Sequence, residues 1–337
     1  MPGEGDVHRP PHRILVVGFP RSGTTWLAQS LASRIGDRYV HEPDNQFREP
    51  FALRAKYQLG AAGCFPSLAE HDDSPRTAEY ARLWAAAFGV GKVHRGAGPS
   101  WLNPGHLRRR AAQLLLRSCA ARVVHRSLVQ PTPLSARLEL VRRLATPLRS
   151  SPEAATVIVK SVYALLAAAW ISRRFGARVC VVLRDPRSVI ASWKRLGWMG
   201  GPGDDAFDQI TPDVRSELSK RRGVSLPRRD APVIELTAWM WGMLNSEVLD
   251  AASQRSDWSV VRYESLVADP QAAISELASR LSLPAEGGSA AGCFIPGTSS
   301  SFTEHLTPDE VETVMETIRP FDLDRLGFTP LGDGELR

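Results

Sequence analysis

Lysine is scarce in this chain. Of its 42 basic residues only five are lysines, Lys56, Lys92, Lys160, Lys194 and Lys220. The net charge of +6 therefore reflects an arginine-biased composition; it fits an anionic ligand and says nothing about fold. Cysteine is sparse as well: Cys64, Cys119, Cys180 and Cys293 stand far apart. With no CxxC pair and no histidines at zinc spacing, neither a disulfide framework nor a zinc site is expected. A reducing, cytoplasmic setting follows, with Cys180, inside an apolar run, as a core residue. Long apolar runs are missing too. The longest uncharged one, Val162 to Ile171, is about half of what a bilayer crossing needs, so no membrane span is expected. The opening MPGEGDVHRPPHR carries no apolar region of the signal-peptide kind, and residues 1–11 read as a disordered tail. The basic stretch 89–150 lacks interleaved aromatics, so no nucleic-acid partner is expected.

What is present is an ordinary globular composition, 43% apolar and 23% charged over 337 residues, enough to bury a substantial core. Residues 156 to 193 are the clearest unit: a strand TVIVKS, a helix ALLAAAWISRRF ended by Gly176, a strand RVCVVLR, and a helix after Asp185-Pro186. Strands without polar alternation, separated by a helix, indicate a parallel sheet covered on both faces. A further strand, WSVVRYESL at 258 to 266, precedes a helix capped by Asp269 with Pro270 in its first turn. The tail repeats the device at Thr307-Pro308, where Glu310 completes a capping box. The fold class is α/β, one domain over 12–330. Residues 197–232, rich in Gly, Pro and charge, read as a mobile lid or insertion.

The chemistry begins at VVGFPRSGTTW, residues 16 to 26. A buried strand from Ile14 runs into a small-residue turn that opens a helix. Gly18 and Gly23 have the GxxxxG spacing of a phosphate cradle, but Thr24 stands where a nucleotidase carries lysine. Gly18 would permit the tight turn and Gly23 a close backbone approach, while the amides of Ser22 to Thr25 and the helix dipole would bind an anion. Arg21 adds a charge able to bind it in two places. Magnesium at a triphosphate would further need an acid at a neighbouring strand end. Asp185 is the one such residue, and its place between Arg184 and Pro186 suits a helix cap better. No metal is expected. A degenerate P-loop phosphotransferase or a non-catalytic nucleotide-binding module remain as alternative readings.

A second constellation is RVCVVLRDPRSVIASW. Arg184 ends a strand, and Ser192 lies two helical turns on; strand ends in such a sheet face the ligand crevice. PRSGTTW followed by VVLRDPRSVIASW resembles the sulfotransferases that use 3′-phosphoadenosine 5′-phosphosulfate (PAPS). The resemblance implies a P-loop-like sheet flanked by helices, PAPS as donor and the desulfated nucleotide PAP as product. It also implies that Arg21, Ser22, Gly23, Thr24 and Thr25, with Trp26 closing the motif, hold the 5′ side. Arg184 and Ser192 would hold the 3′-phosphate. Tyr263, in VVRYESL, would lie near the adenine, with core packing as the equal alternative.

Transfer needs charge stabilisation on the leaving phosphate oxygen, assigned to Arg21, and a base for the acceptor hydroxyl. Many cytosolic members place Lys-Thr-His on the second strand; here the comparable stretch is Lys160-Ser161-Val162, so the lysine is present and the histidine is not. Other branches, among them the tyrosylprotein enzymes and several bacterial carbohydrate sulfotransferases, place a catalytic Glu shortly after the first helix. VHEPDNQF stands there, and Glu42 is the expected base, with His41 as its rival and Lys160 assisting. The Arg-biased, Ala-rich composition suggests a bacterium of high coding GC, and analogy with the sulfotransferases of such organisms implies a small-molecule natural product, glycolipid or carbohydrate hydroxyl as acceptor. Trp84, Trp101, Trp198, Trp239 and Trp241 could line an aromatic pocket, although Trp is usually core.

Overall fold

A computed structural model of the protein describes residues 12–35, 38–61, 63–89, 136, 156–199, 206–283 and 304–322. The expected tail 1–11, nearly all of the basic stretch 89–150 and the carboxyl end of the expected domain lie outside the described residues, as do Trp101, Cys119 and Cys293.

Five strands form one parallel sheet: β1 (His12–Val17), β2 (Arg38–His41), β3 (Thr156–Ser161), β4 (Arg178–Leu183) and β5 (Trp258–Arg262). Their order is β2-β3-β1-β4-β5. Successive side chains of a strand point to opposite faces, and here both faces are apolar. Leu15, Val17, Val157, Val159, Val179 and Val181 join Trp84, Trp170 and Trp241 in one core layer. Ile14, Val16, Ile158, Cys180 and Val182 join the other with Leu27, Leu31, Ile274 and Leu277. This double burial is why TVIVKS and RVCVVL show no polar alternation, as the sequence reading expects.

Ten α-helices cover the sheet among the described residues. Helices α1 (Thr24–Ile35) and α9 (Pro270–Arg280) pack on the face of Ile14 and Val16. The opposite face is covered chiefly by α3 (Ala78–Ala87), α4 (Ala168–Phe175), α5 (Pro186–Arg195), α7 (Val233–Ser253) and α10 (Pro308–Ile318). Helices α2 (Pro50–Gln58), α6 (Pro212–Arg222) and the short α8 (Tyr263–Ala268) complete the set. None of these helices is long and apolar enough to cross a membrane.

Local signals hold where they are local. Gly176, at φ 60°, ends α4 in the left-handed conformation that glycine adopts without steric cost. Asp185 accepts from the amides of Arg187 (2.8 Å) and Ser188 (3.4 Å) at the start of α5. Asp269 accepts from Ala272 N, and Thr307 with Glu310 forms the full capping box.

One element differs. The strand expected over 258 to 266 stops at Arg262, and Tyr263 begins α8. Tyr263 and Leu266 are three apart and both buried; strand alternation would point them to opposite faces, whereas a helical turn turns both inward. Within 197–232, residues 200–205 lie outside the described residues. The rest carries α6, and Phe207, Ile210, Leu218 and Val224 are buried. The Gln209 carbonyl accepts from Cys64 N at 2.7 Å, which ties this segment to the loop after α2.

Candidate active site

In the order β2-β3-β1-β4-β5 the connection after β1 leads toward β2 and the one after β4 leads the opposite way toward β5, and the crevice of such a sheet opens between two such strands at their carboxyl ends. The loop after β1 lies in it. Gly18 has no room for a side chain: a Cβ would stand 2.5 Å from the Val182 carbonyl oxygen and 2.8 Å from Thr24 Cγ2. Gly23 has φ +90°, and a Cβ there would meet the Tyr263 ring at 2.3 Å. Ser22 N donates to Phe19 O (3.0 Å) and Leu27 N to Gly23 O (3.1 Å), closing the turn onto α1. The first turn of α1 contains no acid, so no carboxylate of its own offsets the positive end of its dipole. Ser22 Oγ is buried without a hydrogen-bond partner among the described residues, which is costly unless a ligand satisfies it.

Arginines gather around this loop. Arg21 is in the left-handed backbone region, φ 75°; its Nε donates to Ser192 Oγ (3.1 Å), and its guanidinium lies 5.8 Å from the Trp198 ring centroid. Arg184, at the end of β4, donates from Nη1 to Arg21 O (3.0 Å) and covers the Tyr263 ring at 4.4 Å. Burial, then the charges of Arg184 and Arg195, push the Arg21 pKa below its ordinary value, against an opposing pull from Tyr263. Like charges brought together at a helix N-terminus make an anion receptor. Trp193 holds the loop from behind, its Nε1 donating to Pro20 O (3.2 Å) and its ring stacked on Phe19.

The second group sits two strands away, roughly 10 Å by strand spacing, at the end of β2. Glu42 also has positive φ, 44°, and such strained non-glycine residues cluster at functional sites. It is a buried acid, only 8% exposed, and not the exposed loop carboxylate that its position in the chain would suggest. Lys160, 3% exposed, forms a short ion pair with Glu42 Oε1. Its backbone oxygen accepts from Glu42 N (2.7 Å), and Asn45 Nδ2 donates to Glu42 Oε2 (2.7 Å). Burial raises the Glu42 pKa. The charge and hydrogen bond of Lys160, the Asn45 hydrogen bond and the nearby His41 outweigh it and hold the carboxyl below its ordinary range. Burial lowers the Lys160 ammonium against the pull of Glu42. His41 is exposed, its Nδ1 bonded to the Tyr39 hydroxyl (2.7 Å), and its Nε2 is 3.6 Å from Glu42 Oε2.

A match to the family model described as "Sulfotransferase family" covers residues 11–287 and includes both groups. The chain belongs to the sulfotransferase family. Solved structures similar to this sulfotransferase include the sulfotransferase domain from the curacin biosynthetic pathway, 16% identical, with 95% of this chain and 99% of that chain covered at a TM-score of 0.38. Sulfotransferase STF1 from Mycobacterium tuberculosis H37Rv is 16% identical, covering 92% and 77% at 0.41. A sulfotransferase from Alicyclobacillus acidocaldarius is 15% identical, covering 94% and 95% at 0.41. No curated protein matches the chain.

Of the residues named from the sequence, the sulfotransferase fold brings Arg21, Ser22, Gly23, Thr24, Thr25, Arg184, Ser192 and Tyr263 to one loop, and His41, Glu42 and Lys160 to the neighbouring strand ends. Trp26 is directed into the core layer of Ile14 and Leu27. Among the described residues no group of three His, Cys, Asp or Glu side chains is arranged to hold a metal ion. Sequence reasoning missed Asn45, three residues past Glu42, and the buried network behind it. In that network Asp44 accepts from Ser161 Oγ (2.5 Å) and Tyr80 Oη (3.2 Å). The signal is in the contiguous HEPDNQF, of which the sequence reading uses His41 and Glu42 alone.

Proposed function

We propose that this sulfotransferase takes its sulfuryl group from PAPS and delivers it to an acceptor hydroxyl with Glu42 as general base. The observation that carries the reading is the Arg21–Ser192 and Arg184–Arg21 linkage, which joins the helix-mouth loop to a basic strand end. A nucleotide with phosphates at two separate ends needs two anion subsites, and the orphaned Ser22 hydroxyl fits a phosphate oxygen. When bound, PAPS supplies a sulfuryl group activated by its phosphate leaving group.

The chain's own residues then divide the work. The amides of Gly23 to Thr25 and the hydroxyls of Ser22, Thr24 and Thr25 hold the 5′ side. Arg21 compensates the negative charge that builds on the leaving phosphate oxygen. Arg184 and Ser192 hold the 3′-phosphate, and Tyr263, fixed between Gly23 and Arg184, lies beside the adenine. Glu42 Oε2 takes the acceptor's proton as its oxygen bonds to sulfur, and Lys160 keeps the carboxylate ionised beforehand. The acceptor is a small molecule or carbohydrate, and the free, buried Cys64 and Cys180 suit a reducing cytoplasm.

PAP should raise the melting temperature markedly at concentrations where AMP does little. A ligand at a hundredfold excess over its Kd stabilises by about 2.7 kcal/mol. Thermal-shift measurements with PAP, AMP and Mg-ATP decide the matter; a larger shift with Mg-ATP would sink the PAPS reading in favour of a phosphotransferase.

Arg184→Ala should separate the two anion subsites. Losing a charged hydrogen bond costs about 1.5–3 kcal/mol, so affinity for PAP should fall roughly tenfold to a hundredfold while that for adenosine 5′-phosphosulfate changes little. Titration calorimetry with both nucleotides tests this, and equal losses would put Arg184 outside the 3′-phosphate subsite.

A further inference from the structure

Trp84, Trp239 and Trp241, which the sequence offered as lining for an aromatic pocket, are all buried in the core. Trp101 lies outside the described residues, and Trp198, 42% exposed, stands against Arg21 on the donor side. Phe47 is 72% exposed, the most exposed large apolar side chain among the described residues. An isolated exposed ring needs no explanation, but this one is braced. Asn45 Oδ1 accepts from Phe47 N at 3.0 Å, while Nδ2 of the same amide donates to Glu42 Oε2. One buried side chain therefore fixes both the carboxylate and the backbone that presents Phe47.

A second ring comes from the segment after β3, the strand that carries Lys160. Tyr163 follows Lys160 by three residues, with its backbone N–H bonded to Ser161 Oγ (3.0 Å). Its ring is half-buried and lies 6.5 Å from Phe47, tilted by 57°. Phe65 supports it at 5.8 Å, and the fully buried Lys56 ammonium lies 4.5 Å from its centroid. Lys56 is itself held by the Cys64 carbonyl at 2.6 Å. The two rings thus come from the segments that follow β2 and β3, the same two that carry Glu42 and Lys160.

We infer that Phe47 and Tyr163 form the shelf on which the acceptor lies, and that the acceptor is an aryl hydroxyl compound whose ring packs there with its hydroxyl toward Glu42. The inference rests on the reading of Glu42 as the base. Tilted ring pairs favour a third ring in edge or offset contact, and partly exposed aromatic surface beside convergent polar groups is the usual composition of a small-molecule site. The acidity agrees: a carboxylate held below its ordinary range is a weak base, better matched to a phenolic hydroxyl, pKa about 10, than to an alkyl alcohol.

The test uses 2-naphthol and methyl glucoside as probes on the full chain, with binding read by ligand-observed NMR and donor-site integrity by the PAP thermal shift. Phe47→Ala should weaken 2-naphthol binding about tenfold and leave the PAP shift unchanged; since Phe47 is exposed, the variant should fold. Tyr163→Phe keeps the ring and should keep binding. Glu42→Gln should bind 2-naphthol as the wild type does but fail to sulfate it. Unaltered 2-naphthol binding in Phe47→Ala, or tighter binding of methyl glucoside by the wild type, overturns the shelf as an aryl site. Absence of a PAP shift in the wild type would overturn the donor reading instead, and the NMR comparison would still decide the shelf.

Discussion

Glu42→Gln should lower kcat/KM by at least about a hundredfold with PAP affinity nearly intact. Removing a positioned general base commonly costs about 10²–10⁴ in rate. The amide keeps the size of the carboxylate, its oxygen can still accept from Lys160, and the donor loop two strands away is untouched, so the loss should fall on the chemical step. His41→Ala should be milder, because His41 is exposed and Glu42 has Lys160 and Asn45 to orient it without the imidazole. Steady-state kinetics on both variants with PAP calorimetry as control make the comparison. The reverse order of losses would make His41 the base.

Lys160→Met should destabilise the fold by about 3–5 kcal/mol, the usual cost of leaving one member of a buried ion pair without the other. The pH dependence follows from Glu42. Its folded-state pKa lies below the ordinary value, so its contribution is fully present above the unfolded value of about 4.3 and is lost as pH falls through the folded one. In the variant, burial acts on Glu42 without the opposing Lys160 charge, and the carboxyl moves upward. The stability gap between wild type and variant should therefore be largest near neutral pH and shrink in acid, and any residual activity should need a higher pH. Urea unfolding across pH 3 to 8 measures the gap. A gap independent of pH would show that Lys160 acts by packing alone.

The parts of this molecule that depend on neighbours in the chain were readable in advance. TVIVKS is a strand residue for residue because apolar neighbours cover both its faces, and Asp185, Asp269 and Thr307 cap helices because a cap is made within three residues. The two anion-loop motifs could be set side by side because each carries its own residue pattern. What could not be read is contact across the sheet. The Arg21–Ser192 bond spans 171 residues and the Lys160–Glu42 pair 118; no local pattern distinguishes a buried, paired Glu42 from a solvated loop acid. Tyr263 shows the remaining difficulty: VVRYESL carries β-branched and aromatic residues that favour a strand, yet the inward spacing of Tyr263 and Leu266 makes its second half helical.

Asn45 has a consequence for how such a site can change. Because one amide grips the Glu42 carboxylate with its nitrogen and the Phe47 backbone with its oxygen, a substitution at 45 alters two functions at once. Variation at position 47 leaves that grip in place, since the amide holds the backbone and not the ring. Diversification of acceptor choice, whether by natural drift or in a mutant library, therefore has its cheapest route through position 47, with position 45 held fixed.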